Sequence, residues 1–238
     1  IFIPHDSRPI SSTQTADVVT KAGYEVVVPP TELLGSREDL GHPDQLWTWL
    51  HETIAQPGVK AAVISSDAMI YGSLVGSRKH NEPRAQVLAR ASRFEELQRA
   101  NPKIPLYVFG SIMRTPRTGE ASGHEEPEYY RRYGADIFRY TVLRDKEEVE
   151  GLSRRERKEY AFLTRLIPKE ALTDWMGRRE KNYAVNEFLI NLMRKHGTFR
   201  YLALGRDDNA PFSQTHLESR HLSAVGADLG KTRFQTMA

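Results

Sequence analysis

The chain has 238 residues, 39% of them hydrophobic, which suffices for one sizeable α/β domain or two small ones. Its 34 basic and 31 acidic residues leave a formal charge of +3. The basic residues are dispersed among acids, unlike the concentrated patch of a nucleic-acid binder. There is no cysteine, so disulfides, thiolate nucleophiles and Cys-ligated zinc are excluded.

The order of elements alternates strand and helix. Ile1–Ile3 reads as a first strand and the segment from Ser12 to Lys21 as a helix with serines available to cap it. Tyr24–Val28 reads as a second strand, stopped by Pro29 and Pro30. Apolar residues at 46, 47, 50 and 54 have helical spacing. Lys60–Ser65 reads as a third strand. Val87, Ala91, Phe94 and Leu97 share one face of a helix over Pro83–Ala100. Ile104–Phe109 reads as a fourth strand. A polar excursion follows from about 115 to 135, and 144–196 is mostly helix, its last part running from Pro168 to Gly197. In that region Arg154–Lys158 reads as the wet face of a helix. Tyr201–Gly205 is the fifth strand, and the tail after Ser223 has no clear element.

This alternation predicts an α/β fold of parallel strands with crossover helices, as part of a TIM-like barrel or, alternatively, an open Rossmann-like sheet. Residues 1–238 read as a single α/β domain with a mainly helical excursion at about 115–196. No apolar stretch approaches the length of a membrane span, and no signal peptide is visible. The chain opens directly on a strand, so its N-terminus reads as trimmed. The lack of cysteine fits export, which is slightly favoured over a cytoplasmic location.

Strands of α/β proteins carry their chemistry at their C-terminal ends. Here four strand endings share one polar style. The first ends in Pro4-His-Asp-Ser-Arg-Pro9, the third in Ser65-Ser-Asp67, continuing through Tyr71 to Arg78. The fourth ends in Gly110-Ser-Ile-Met-Arg114, and the fifth in Gly205-Arg-Asp-Asp-Asn209. Parallel strands put all four on one rim. Asp6, Asp67, Asp207 and Asp208 then face Arg8, Arg78, Arg114 and Arg206 over a pocket suited to a hydroxyl-rich or anionic small molecule or oligosaccharide. Adjacent carboxylates push their pKa values apart, and glycoside hydrolysis uses such a division of labour. Asp207 and Asp208 are therefore the candidate catalytic residues, with Asp208 as general acid. Asp6, Arg8, Asp67, Tyr71, Arg78, Arg114 and Asn209 are candidate substrate contacts. Asn182 and Asn186, four apart on one helical face, read equally as substrate contacts or as a polar helix over a loop.

The leading functional expectation is a carbohydrate-active hydrolase, a glycosidase, with no cofactor and no metal. Two alternatives stand beside it. One is a metal-dependent hydrolase with His5 and the same acids as ligands; the other is a non-catalytic module binding a sugar or cell-wall fragment. The chain contains no HExxH, G-x-S-x-G, Walker loop or G-x-G-x-x-G motif.

Taken together, these segments resemble a bacterial family known as domain of unknown function 4127. The resemblance rests on Ile3 to Pro9, Ser65 to Arg78, Phe109 to Arg114, Arg179 to Asn186 and Gly205 to Pro211, and runs over nearly the whole chain. His5 departs from the family pattern Pro-Leu-Asp-x-Arg-Pro, which weakens a metal role for it. The resemblance implies a longer protein, of which this chain is the N-terminal portion and the C-terminal half a partner. It supplies no activity, but it supports Asp6, Arg8, Asp67, Arg78, Arg114 and Asp207–Asn209 as one site.

Overall fold

The computed structural model describes residues 1–119 and 125–237. Five strands form one sheet: β1 (Phe2–Ile3), β2 (Ala62–Ser65), β3 (Leu106–Ile112), β4 (Tyr201–Arg206) and β5 (Phe234–Met237). Every neighbouring pair is parallel and the spatial order is the chain order. The mixed α/β class is therefore as expected, and both a barrel segment and an open Rossmann-like sheet fit it.

The helices are α1 (Thr13–Lys21), α2 (Pro43–Ile54), α3 (Ser66–Tyr71), α4 (Gly76–Lys79), α5 (Arg84–Ala100), α6 (Tyr130–Val149), α7 (Arg154–Leu166), α8 (Lys169–His196) and α9 (Gln214–Val225). Each crossover steps to the next strand in the same direction, so right-handed connections bring the covering helices to one face. Side chains alternate across a strand. Ala62, Ile64, Leu106 and Val108 are accordingly buried, while between them Val63 and Tyr107 stay 39% and 37% exposed on the opposite face.

The main core joins the buried strand face to Leu46, Trp47, Leu50 and Ile54 of α2, to Val87, Ala91, Phe94 and Leu97 of α5, and to Leu189, Ile190 and Met193 of α8. Trp47 donates its indole N–H to the Met69 carbonyl at 2.9 Å, so its one polar group is satisfied in the interior. A second apolar cluster contains Tyr130, Ile137, Leu143, Leu163 and Trp175, between α6, α7 and the first half of α8. A capping box starts α7: Ser153 Oγ accepts the Glu156 N–H, and the Glu156 carboxylate accepts the Ser153 N–H. Arg154, Arg155, Arg157 and Lys158 lie exposed on it. Helix α8 ends at Gly197 in the left-handed region, φ 60°.

Three elements differ from the sequence reading. Tyr24–Val28 is not a ladder strand; its Val27 carbonyl accepts the Phe2 N–H at 2.9 Å, and Pro29 and Pro30 remove the donors that would continue the pairing. The segment after Ser223 instead supplies β5, an edge strand whose Phe-Gln-Thr-Met lacks a strong apolar signature. Short α3 and α4 fill the stretch after β2. Between them Gly72 has φ 93°, and a Cβ there would stand 1.8 Å from the Leu40 carbonyl oxygen, so only glycine fits that turn.

Candidate functional site

Strand register brings the four endings together. Ile3 lies beside Ile64, Ser65 beside Phe109, and Ile112 beside Arg206, so the loops after β1 to β4 open at one edge. Asp6 is fully buried. Its carboxylate accepts the Arg8 backbone N–H at 3.1 Å and binds the Arg8 guanidinium two-pronged, the shortest contact 2.7 Å. This pair folds the loop after β1 back on itself.

Ser65 ends β2 and caps α3 by accepting the Ala68 N–H at 3.2 Å, so Asp67 is released from capping. Asp67 is buried, its Oδ2 3.1 Å from His5 Nδ1, and Ser65 Oγ lies 2.8 Å from the same nitrogen. Ser65 Oγ is the hydrogen-bond partner of that nitrogen, whereas the nearby Asp67 Oδ2 has none among the described residues. His5 remains partly exposed. Tyr71 is buried and stacks on His80, ring centroids 4.8 Å apart. Burial, then the Asp67 charge, push its hydroxyl far up, so it stays protonated.

Around these lies a cluster of four guanidiniums with Glu125 at its centre. Glu125 Oε1 takes Arg37 at 3.0 Å and Arg8 at 3.7 Å; Oε2 takes Arg78 at 3.1 Å and Arg114 at 3.0 Å. Glu126 pairs with Arg114 at 3.1 Å and lies 3.9 Å from Arg78, and Asp207 lies 3.5 Å from Arg78. Burial acts to raise the Glu125 pKa, but Arg114, Arg78, Arg37 and Arg8 together outweigh it and hold the carboxyl below its ordinary value. For Glu126 burial prevails over Arg78 and Arg114, and the pKa rises. Two adjacent carboxyls are thus driven in opposite directions, the kind of division anticipated for Asp207 and Asp208. Burial, together with Arg114, lowers the Arg78 pKa, against the pull of Glu126, Glu125 and Asp207.

The Asp pair divides by exposure. The Asp207 side chain is 60% exposed. Asp208 accepts the backbone N–H groups of Thr115 at 3.1 Å and Ala210 at 3.0 Å, and the Ser213 hydroxyl at 3.2 Å. These three donors tie the Asp208 carboxylate between the β3 and β4 loops and the start of α9 as an anchor. Asn209 is exposed and, among the described residues, makes no hydrogen bond or ion pair.

Asn182 and Asn186 are buried and serve the backbone. Asn182 Oδ1 accepts the Met113 N–H at 3.4 Å, and Asn186 Nδ2 donates to the Ser111 carbonyl at 3.0 Å and to Asn182 Oδ1 at 3.2 Å. Their committed donors and acceptors bind β3, so their contribution to the rim is to hold that strand end. Arg179 on the same helix continues the bracket. Its guanidinium donates to the Met113 and Arg114 carbonyls at 2.7 and 2.9 Å, forks onto Glu218 at 2.9 and 2.7 Å, and sits over the Trp175 ring at 4.8 Å.

Two open clefts lie elsewhere. One, of about 630 Å³, runs along the start of α2 past Tyr71, His80 and Arg90; the other, of about 820 Å³, lies at the strand-entry end near Pro105 and Arg200. Neither is lined by Arg8, Arg78, Arg114 or Asp207. The second cleft is at the end of the sheet opposite to that where α/β proteins bind ligands. We place the candidate site at the charged rim, because there the buried charges, a partly exposed imidazole and an exposed carboxylate coincide. Among the described residues no three His, Asp or Glu side chains gather as metal ligands. No helix among them is long and apolar enough to cross a membrane.

Sequence reasoning missed Arg37, Glu125, Glu126 and Arg179 as parts of this rim. Arg179 fell within the Arg179–Asn186 stretch that carries part of the family resemblance, and the glutamates fell in the polar excursion, where no periodic signal marks them.

The fold and site together define a parallel α/β protein with an arginine-rich, carboxylate-lined mouth at the C-terminal edge of its sheet. Over residues 1–238 the chain is matched by the family described as "Protein of unknown function (DUF4127)", and it belongs to that family. No curated protein and no solved structure matches it.

Proposed function

We propose that the charged rim is the active site of a hydrolase acting on a carbohydrate, with cleavage of a glycosidic bond as its chemistry. The observation that carries this reading is the exposed Asp207 carboxylate beside Arg78, on the same rim as the partly exposed His5 imidazole, which bonds Ser65 and lies 3.1 Å from the Asp67 carboxylate. Asp207 would stand against the positive charge that develops at the anomeric carbon. His5, bonded to Ser65 and beside Asp67, would carry the proton. Asp208 and Asn182 position the strand ends, and Arg8, Arg78 and Arg114 hold polar groups of the ligand. The chain-order arrangement of the strands supports taking the sheet as consecutive units of a barrel.

The test is turnover of a panel of nitrophenyl glycosides, acetamido sugars included, by the protein and by its Asp207→Asn and His5→Gln variants. The reading expects release of nitrophenol from at least one glycoside, and a loss of about 10²-fold or more in kcat/KM for each variant. Turnover by Asp207→Asn equal to that of the parent protein would overturn it.

A further inference from the structure

We infer that the rim binds a ligand carboxylate, and that Glu125 occupies that ligand's place as an internal competitor. The inference rests on the rim being the ligand mouth, as proposed above, and adds the chemical class of the group bound there.

Each Glu125 oxygen faces two guanidiniums, Arg37 and Arg8 on one side, Arg78 and Arg114 on the other. Two oxygens of one planar group, each between a pair of forks, is the geometry of carboxylate recognition. A tetrahedral phosphate or sulfate would direct a third oxygen out of that plane. Among the described residues Arg8, Arg37, Arg78 and Arg114 face Asp6, Glu125, Glu126 and Asp207. Withdrawing Glu125 removes the carboxylate that all four guanidiniums share, and an incoming carboxylate takes up the same contacts.

Three of these acids have fixed roles around the mouth. Asp6 binds Arg8 through the loop it closes, Glu126 is buried behind Arg114, and Asp207 stands on the β4 loop. Glu125 differs from them. It belongs to an irregular segment before α6, and two of its arginines reach solvent, Arg37 at 63% and Arg8 at 29% side-chain exposure. An outside carboxylate can therefore approach from the side of Arg37 and Arg8. For a carbohydrate ligand, the group in question is the carboxylate of an acidic sugar.

The test compares binding of D-glucuronate, methyl β-D-glucoside and inorganic phosphate to the protein and to its Glu125→Gln variant by calorimetry. Removing the competitor's charge is expected to tighten glucuronate at least tenfold, with the neutral glucoside and phosphate unchanged. A second measurement uses Glu125→Ala, whose melting temperature is expected to rise with acetate beyond the rise seen with equal chloride, while that of the parent protein does not. Should Glu125→Ala fail to fold, the near-isosteric Glu125→Gln carries the test by its glucuronate affinity. Glucuronate binding that is equal or weaker in Glu125→Gln, or phosphate tightened as much as glucuronate, would overturn the inference. A chain that binds glucuronate in this manner yet turns over no glycoside would refute the hydrolase reading and leave the carboxylate site standing.

Discussion

Replacing Arg179 by methionine removes a cation from the protein interior and leaves its partner behind. Arg179 is fully buried, and Glu218, which it grips through two hydrogen bonds of 2.9 and 2.7 Å, is buried too. Methionine keeps much of the side-chain volume, so the cost arises from the stranded Glu218 carboxylate and from the Met113 and Arg114 carbonyls that lose their donors. Breaking a buried ion pair by removing one partner costs about 3–5 kcal/mol, whereas the lost stacking on Trp175 adds only about 1 kcal/mol. In a chain of this size each kcal/mol lowers the melting temperature by about 2–4 °C, so Arg179→Met should melt about 6–20 °C below the parent protein. Urea denaturation and calorimetry read this directly. The double variant Arg179→Met with Glu218→Gln neutralises the stranded charge and should recover more than half of the loss, because the two sites are in contact and not additive. A loss below about 1 kcal/mol for Arg179→Met, or a double variant as unstable as the sum of the singles, would refute the claim that this pair braces the β3 end.

Other outcomes follow from the same geometry. Asp207→Asn should cost little stability, within about 0.5 kcal/mol, because its side chain is mostly exposed, so the activity loss expected of it should appear in a protein of unchanged melting temperature. The pKa of His80 is lowered to about 3 by burial and by the charges of Lys181, Arg178 and Arg90. An unfolded histidine titrates near 6.5, so between pH 6.5 and 3 the unfolded chain holds the extra proton, and stability should fall with falling pH across that window by up to about 1.4 kcal/mol per pH unit. His80→Gln should flatten that slope, and a slope unchanged by the substitution would contradict the assignment. Gly72→Ala should lose at least about 2 kcal/mol, from the left-handed backbone and the contact with the Leu40 carbonyl, measurable by urea denaturation.

Local signals made much of this legible. The 3.6-residue spacing of Val87, Ala91, Phe94 and Leu97 located α5, and the apolar runs ending in Asp or Ser located β2 and β4. The Tyr24–Val28 segment has the composition of a strand without becoming one, because a strand requires a partner as well as a propensity. The rim was legible through its strand endings, which carry Asp6, Asp67, Arg114 and Asp207. The centre of the rim was not. Glu125 gains its meaning from arginines at 8, 37, 78 and 114, and no local pattern records a meeting of such distant segments. Nor does helical spacing distinguish a face that meets a ligand from one that clamps a strand, so Asn182 and Asn186 looked alike under both readings until their bonds to Ser111 and Met113 were seen.

Helix α8 has 28 residues and is about 42 Å long. Trp175 anchors it in the second apolar cluster and Leu189, Ile190 and Met193 anchor it in the main core, with Arg179, Asn182 and Asn186 on the span between. Adding or deleting one residue in that span would turn one anchored end about 100° against the other. Either Trp175 or Leu189 would then be swung into water, or the three polar side chains would miss the strand they clasp. A change in the length of this span therefore disturbs both anchored ends at once, whereas a substitution on its exposed face disturbs neither.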